Sequence, residues 1–265
     1  MRINKLYLIL ALLISQSALG QVQYIITSKN IPAPDTVLVF TPQSYASNKT
    51  YPVVYMLHGY SSNYKQWNQI MDAQRYADEF QMIIVSPDGF FDSWYLNSPE
   101  KGKSQYLDFF FNDLCKKVEK EYSIDEKNRF ITGLSMGGHG ALHIFLQNPD
   151  YFNTAGSTSG IMNLSGIDGL FSINDHLGQL KGNENIWMSL SASGNISNLK
   201  EIGKEIIVDC GTEDPFYKWN KEFYELCLEE RVPLTFISQV GKHDWDYWSK
   251  SIYAHYLFFR AHLKE

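Results

Sequence analysis

The chain is predicted to fold as an α/β domain: a mostly parallel central sheet flanked by helices, with a polar insertion over one end. Three observations carry that expectation. Short apolar, β-branched runs alternate with longer amphipathic ones, the pattern of strand–helix–strand units. One pentapeptide, Gly133-Leu134-Ser135-Met136-Gly137, sits where a strand-like run gives way to a helix-like one. The 265 residues, 44% of them hydrophobic, suffice for one large core.

The first twenty residues read as an export leader. Arg2 and Lys5 supply a positive start, residues 6–14 are apolar, and Ala18-Leu19-Gly20 is a small-residue cleavage site. The apolar run is too short to span a bilayer. Residue 21 is Gln, so the cysteine that lipid attachment needs is not there. The expectation is a single domain over residues 21–265, secreted or periplasmic, without stable membrane insertion.

Strands are expected at 36–41, at 52–57 (running into His58-Gly59) and at 82–86, where Pro87-Asp88-Gly89 ends the run. Helical periodicity covers 63–80 and 106–122, the second with Leu107, Phe110, Leu114 and Val118 on one face. A strand over 129–132 enters the pentapeptide and a helix over 136–148 leaves it, ended by Pro149. Residues 161–204 are rich in Ser, Asn and Gly with weak periodicity, and read as a cap-like insertion. Beyond it come a strand at 205–210, a helix at 217–230, a strand at 234–240 and a last helix at 244–263. Internal repeats and long linkers are not visible.

Composition narrows the function. The formal charge is −6, and loss of the leader removes two positive charges. A negative chain without a basic run is ill suited to nucleic acid. The three cysteines, Cys115, Cys210 and Cys227, lack metal-ligand spacing. Their odd number leaves at least one unpaired, and Cys210 with Cys227 is the one pair to test for a disulfide.

The pentapeptide fits G-x-S-x-G, a sharp strand-to-helix turn that lifts a serine hydroxyl clear of the backbone. The Met136 N–H then opens a helix, where negative charge is favoured. Such a serine needs a base, an acid to orient the base, and a second oxyanion donor. Asp214 follows the strand at 205–210 and His243 follows the strand at 234–240, the chain order Ser, acid, His. Glu213 and Asp244 compete with Asp214 as the acid. His139, His143, His255 and His262 fall in helices or near the end of the chain, and His58 belongs to a strand-end turn whose Tyr60 N–H is the second candidate oxyanion donor. This chemistry calls for no metal and no cofactor.

The stretches YMLHGYSSN, GLSMGGHGAL, DCGTEDPFY and GKHDWDYW resemble the esterase family within the α/β-hydrolases, which includes esterase D (S-formylglutathione hydrolase), feruloyl, acetyl xylan and tributyrin esterases and the mycolyltransferases. The likeness runs from about residue 36 to 262. It implies Ser135 as nucleophile, Asp214 as acid, His243 as base, and Met136 and Tyr60 as oxyanion donors. Lys242 departs from it, standing where many relatives have a second glycine.

The resemblance implies a serine carboxylesterase but does not fix the substrate; the export leader adds the expectation of a secreted enzyme acting on short or aromatic acyl esters of carbohydrate. Trp94, Trp187 and Trp219 are candidates to stack on sugar or aryl rings, and His176 to touch substrate. Hydrolysis of S-formylglutathione, acyl transfer to a sugar or alcohol, and a non-catalytic carbohydrate-binding role are the alternatives. Export argues against a glutathione thioester, and the intact Ser, Asp and His against the non-catalytic role. The partner is a small-molecule or polysaccharide ester; the oligomeric state is not legible. A polar insertion is expected to disfavour long-chain lipids.

Overall fold

In the computed structural model, which describes residues 20–99 and 103–265, eight strands form one sheet: β1 (Gln21–Ile26), β2 (Asp35–Phe40), β3 (Tyr51–Leu57), β4 (Ile83–Ser86), β5 (Ile124–Gly133), β6 (Thr154–Thr158), β7 (Ile206–Gly211) and β8 (Leu234–Gln239). Their order is β1-β2-β4-β3-β5-β6-β7-β8. β2 pairs antiparallel with both neighbours, and every pair from β4 to β8 is parallel. The carboxyl ends of the parallel strands therefore share one edge, where α/β sheets place their ligands.

The helices are α1 (Gln66–Ile70), α2 (Ala73–Phe80), α3 (Tyr106–Phe109), α4 (Lys116–Glu121), α5 (Met136–Gln147), α6 (Ile173–Leu177), α7 (Glu184–Leu190), α8 (Ile196–Ile202), α9 (Tyr217–Glu230) and α10 (Trp245–Ala261). They bury both faces of the sheet. Along β3, Val53, Tyr55 and Leu57 join one core with α5 and α9, while Val54 and Met56 join the other with α2 and α10. This two-sided burial explains why the strand read as a continuous apolar run rather than an alternating one.

Several expectations need correction. β1 and β6 were not anticipated. The helix expected over 63–80 is two, because Met71 is extended and the Asp72 carboxylate caps a new start by accepting the Arg75 N–H. The helix over 106–122 carries a π-helical segment, Phe110–Cys115, between α3 and α4. The insertion holds α6 to α8 and is not a polar cap: Leu164, Ile167, Ile173, Leu177, Trp187 and Leu199 are buried in the main core. All three cysteines are free and buried, so Cys210 and Cys227 are not bridged. The expected leader lies outside the described residues except for Gly20. Among the described residues, no helix is long and apolar enough to cross a membrane.

Candidate active site

Ser135 sits between β5 and α5 with φ 54° and ψ −116°, a left-handed conformation that a serine holds only under constraint. The constraint comes from both sides. The Ser135 N–H donates to the Thr158 carbonyl (3.0 Å), and the Ser135 carbonyl accepts the His139 N–H (3.1 Å). Only glycine fits at the flanks: a Cβ on Gly133 would overlap the Gly137 carbonyl, and one on Gly137 would overlap the carbonyl of Leu57.

Two other strand ends deliver the partners. His243, after β8, places Nε2 3.0 Å from Ser135 Oγ and Nδ1 2.8 Å from Asp214 Oδ2. The Asp214 side chain is fully buried, and its other oxygen accepts the Phe216 N–H (2.8 Å). Phe216 and Trp248 each meet the imidazole edge-on, with centroids 4.9 Å away, which fixes the ring plane. The competing acids have other occupations. Glu213 is exposed, with Lys242 Nζ 4.0 Å from its carboxylate. Asp244 caps α10 by accepting the Tyr247 N–H (3.0 Å). Lys242 therefore points its charge at Glu213, not into the triad.

The other histidines are also accounted for. His139 and His143 are buried in α5 and stacked on each other; burial lowers their pKa to about 3 and about 4. His255 binds Asp209 (2.6 Å) and Thr132 (2.8 Å) in the core, tying α10 to β7 and β5. His262 faces Glu205 at 3.2 Å.

Register places the turn after β3 beside the serine, since Leu57 pairs with Gly133. The contacts that pin this turn leave no pattern in the sequence. The Gly89 N–H donates to His58 Nε2 at 2.6 Å, closer than Asp88 Oδ1 at 3.3 Å, which assigns the ring proton to Nδ1, donating to the Gly59 carbonyl (2.8 Å). Tyr95 donates its hydroxyl to the His58 carbonyl (2.9 Å), Gln66 accepts the Gly59 N–H (2.8 Å), and Trp67 donates to the Leu57 carbonyl (2.9 Å). The N–H of Tyr60 belongs to the peptide held in this way. The N–H of Met136, first residue of α5, has no carbonyl four residues back within the helix.

Ser135 and His243 open into a cavity of about 280 Å³ with an aromatic wall: Tyr60, Trp94, Phe171, Phe216 and Trp248. Ile161 and Phe171 come from the insertion, so its inner face is apolar where a polar one was expected. Trp94 lines the cavity, its Nε1 bonded to the Phe171 carbonyl (3.1 Å). Trp187 is a core residue with no solvent exposure. Trp219 stacks behind Phe216 at 5.6 Å and is not a lining residue. His176 lines a different cleft. Among the described residues, no group of three or more His, Cys, Asp or Glu is arranged to hold a metal ion.

The chain matches, over residues 28–259, the family model described as "Putative esterase". It is 25% identical over 247 residues to an acetyl esterase of Caldicellulosiruptor saccharolyticus, covering 85% of this chain and 92% of that one. It is 29% identical over 231 residues to an S-formylglutathione hydrolase of Arabidopsis thaliana, covering 78% and 80%. A solved ferulic acid esterase superposes with TM-score 0.79 at 26% identity, covering 92% of this chain and 98% of the other.

Proposed function

The chain belongs to the esterase family and is a carboxylic-ester hydrolase; on that premise we propose that it cleaves short or aromatic acyl esters of carbohydrate through an acyl-enzyme on Ser135. The observation that carries this reading is the hydrogen-bonded line Asp214–His243–Ser135 at the mouth of an aromatic cavity. His243 Nε2 takes the hydroxyl proton as Ser135 Oγ attacks the acyl carbon. Asp214 holds the Nδ1–H and so keeps Nε2 free to accept. The developing oxyanion is met by the N–H groups of Tyr60 and Met136, the latter at the positive end of the α5 dipole. His243 then protonates the departing alcohol, and a water activated by the same nitrogen releases the acid.

The wall supports a substrate class. Five aromatic side chains in a cavity of about 280 Å³ favour a flat aryl acyl group. The preference against lipids proposed here rests on the flat aromatic wall, not on polarity. The acetyl esterase and ferulic acid esterase relatives support this assignment. The leader-like first twenty residues support action outside the cytoplasm.

A second reading, hydrolysis of S-formylglutathione, rests on the 29% identical relative. The test is kcat/KM of residues 21–265 on methyl ferulate, acetylated xylan, S-formylglutathione, and p-nitrophenyl acetate, butyrate and palmitate. Methyl ferulate or acetylated xylan should lead. Preference for S-formylglutathione or a steady rise towards palmitate overturns the substrate assignment.

A further inference from the structure

A buried polar stripe runs along α10, the helix that follows His243. Trp248, Ser251 and His255 are spaced i, i+3, i+7 and so share one helical face. Each meets a polar group near the end of a neighbouring strand. Trp248 Nε1 donates to Ser159 Oγ (3.1 Å), and Ser251 Oγ lies 3.0 Å from Thr158 Oγ1. His255 bonds Asp209 through Nε2 (2.6 Å) and Thr132 through Nδ1 (2.8 Å). Thr158 closes the set by donating its hydroxyl to Asp209 Oδ1 (2.7 Å). Thr132, Thr158, Ser159 and Asp209 have no solvent exposure.

This network reaches the triad from two sides. The Thr158 carbonyl accepts the Ser135 N–H (3.0 Å), and Leu134 pairs with Thr158 in a parallel bridge. Ser159, next in the chain, sits in the left-handed region at φ 49°, as Ser135 does at 54°, and its N–H donates to the Asp209 carbonyl (2.8 Å). The Ser159 hydroxyl holds the indole of Trp248, whose ring stands edge-on to the His243 imidazole at 4.9 Å. Thr158 thus holds the backbone of Ser135, and Ser159 holds the ring that walls His243. One dipeptide is the common reference for two groups that arrive from the ends of β5 and β8. Apolar side chains of similar volume would also dock α10 firmly, because hydrogen bonds inside a core do little more than offset the desolvation of the groups that make them. What the polar stripe adds is register, since hydrogen bonds tolerate little misalignment. A shifted α10 would carry Trp248 off the His243 ring.

We propose that Ser159 is a positioning residue for the ester cleavage, an inference that rests on the esterase reading: through Trp248 it sets where His243 Nε2 stands relative to Ser135 Oγ. Ser159 does not line the cavity, so its effect passes through the indole and not through substrate.

The test is a double-mutant cycle in kcat on p-nitrophenyl acetate with Ser159→Ala, Trp248→Phe and the two together, beside thermal melting of each. Ser159→Ala removes the acceptor. Trp248→Phe keeps an aromatic ring beside His243 and removes the donor. Each single change should lower kcat about tenfold, because small misplacements of reacting groups are that costly. The double variant should be no slower than the slower single one, because both changes break the same hydrogen bond. Two outcomes overturn the proposal: single effects that multiply to about a hundredfold in the double variant, or a Ser159→Ala protein that melts lower yet keeps kcat within about twofold of wild type. Should Trp248→Phe not fold, Ser159→Ala decides alone: a lower kcat at unchanged KM supports the proposal and an unchanged kcat overturns it. A wild type without turnover removes the esterase reading and the proposal with it, whereas an active wild type matched by Ser159→Ala removes the proposal alone.

Discussion

The Nδ1–H of His58 donates to the carbonyl of Gly59 at 2.8 Å, and the peptide it holds is the one whose N–H belongs to Tyr60. The Gly89 N–H on Nε2 fixes the tautomer that makes this possible. A carbonyl that accepts a hydrogen bond polarises its own amide, so His58 both aims and strengthens the Tyr60 donor.

His58→Phe should therefore lower kcat on p-nitrophenyl acetate by about 10- to 100-fold, less than outright loss of an oxyanion donor, with KM little changed. The split matters, because a general packing defect would raise KM or lower the melting temperature instead. Wild-type kcat in this variant would remove His58 from the account.

Asp214→Asn should reduce kcat by about 10⁴, because an amide cannot hold the Nδ1–H and leaves the imidazole in the wrong tautomer. Glu213→Gln should stay within about twofold, since its exposed contact with Lys242 contributes little. Steady-state kinetics of the two variants on one ester decides between them, and an inactive Glu213→Gln would move the acid to the neighbouring residue.

Phe171→Ala should raise KM for methyl ferulate about tenfold through loss of aryl contact, and leave KM for p-nitrophenyl acetate nearly unchanged. Phe171 is partly exposed and lies in the insertion, so its loss should not unfold the protein. Equal effects on both esters would mean that the aromatic wall does not select the acyl group.

Stability should fall in mild acid. Burial holds the folded pKa of His139 at about 3 and of His143 at about 4, below the ordinary histidine value of about 6.5 in the unfolded chain. Below about pH 6.5 the unfolded state thus binds protons that the folded state refuses, and stability drops by roughly 1 kcal/mol per pH unit per histidine. Melting temperatures between pH 6.5 and 5 read this above the carboxylate range. His143→Leu should flatten the slope; an equally steep slope in that variant would place its cause elsewhere.

The proposed catalytic groups, which the structure brings together, were legible because the signals for them are local in sequence. Ser135 needs glycines at fixed offsets, and Asp214 and His243 each follow a strand. The supports of the oxyanion turn were not legible. His58 and Gln66 act through single hydrogen bonds that exist only once β3, α1 and the turn after β4 are side by side. β6, Thr154-Ala-Gly-Ser-Thr158, lacks the apolar signature of a strand and is buried only because its neighbours enclose it. Trp187 was misplaced for a related reason. Its insertion is rich in Ser, Asn and Gly, yet folds with Trp187 and several of its other large apolar side chains inward.

The central claim, that Ser135 is the nucleophile, is tested most directly by Ser135→Ala turnover of p-nitrophenyl acetate, with intact folding checked by thermal melting. The account predicts a fall in kcat of about 10⁴- to 10⁶-fold at an unchanged fold, because the Ser135 hydroxyl is the group bonded to His243 Nε2. A folded Ser135→Ala protein that keeps even about a tenth of wild-type turnover, where loss of a nucleophile removes nearly all of it, would contradict it.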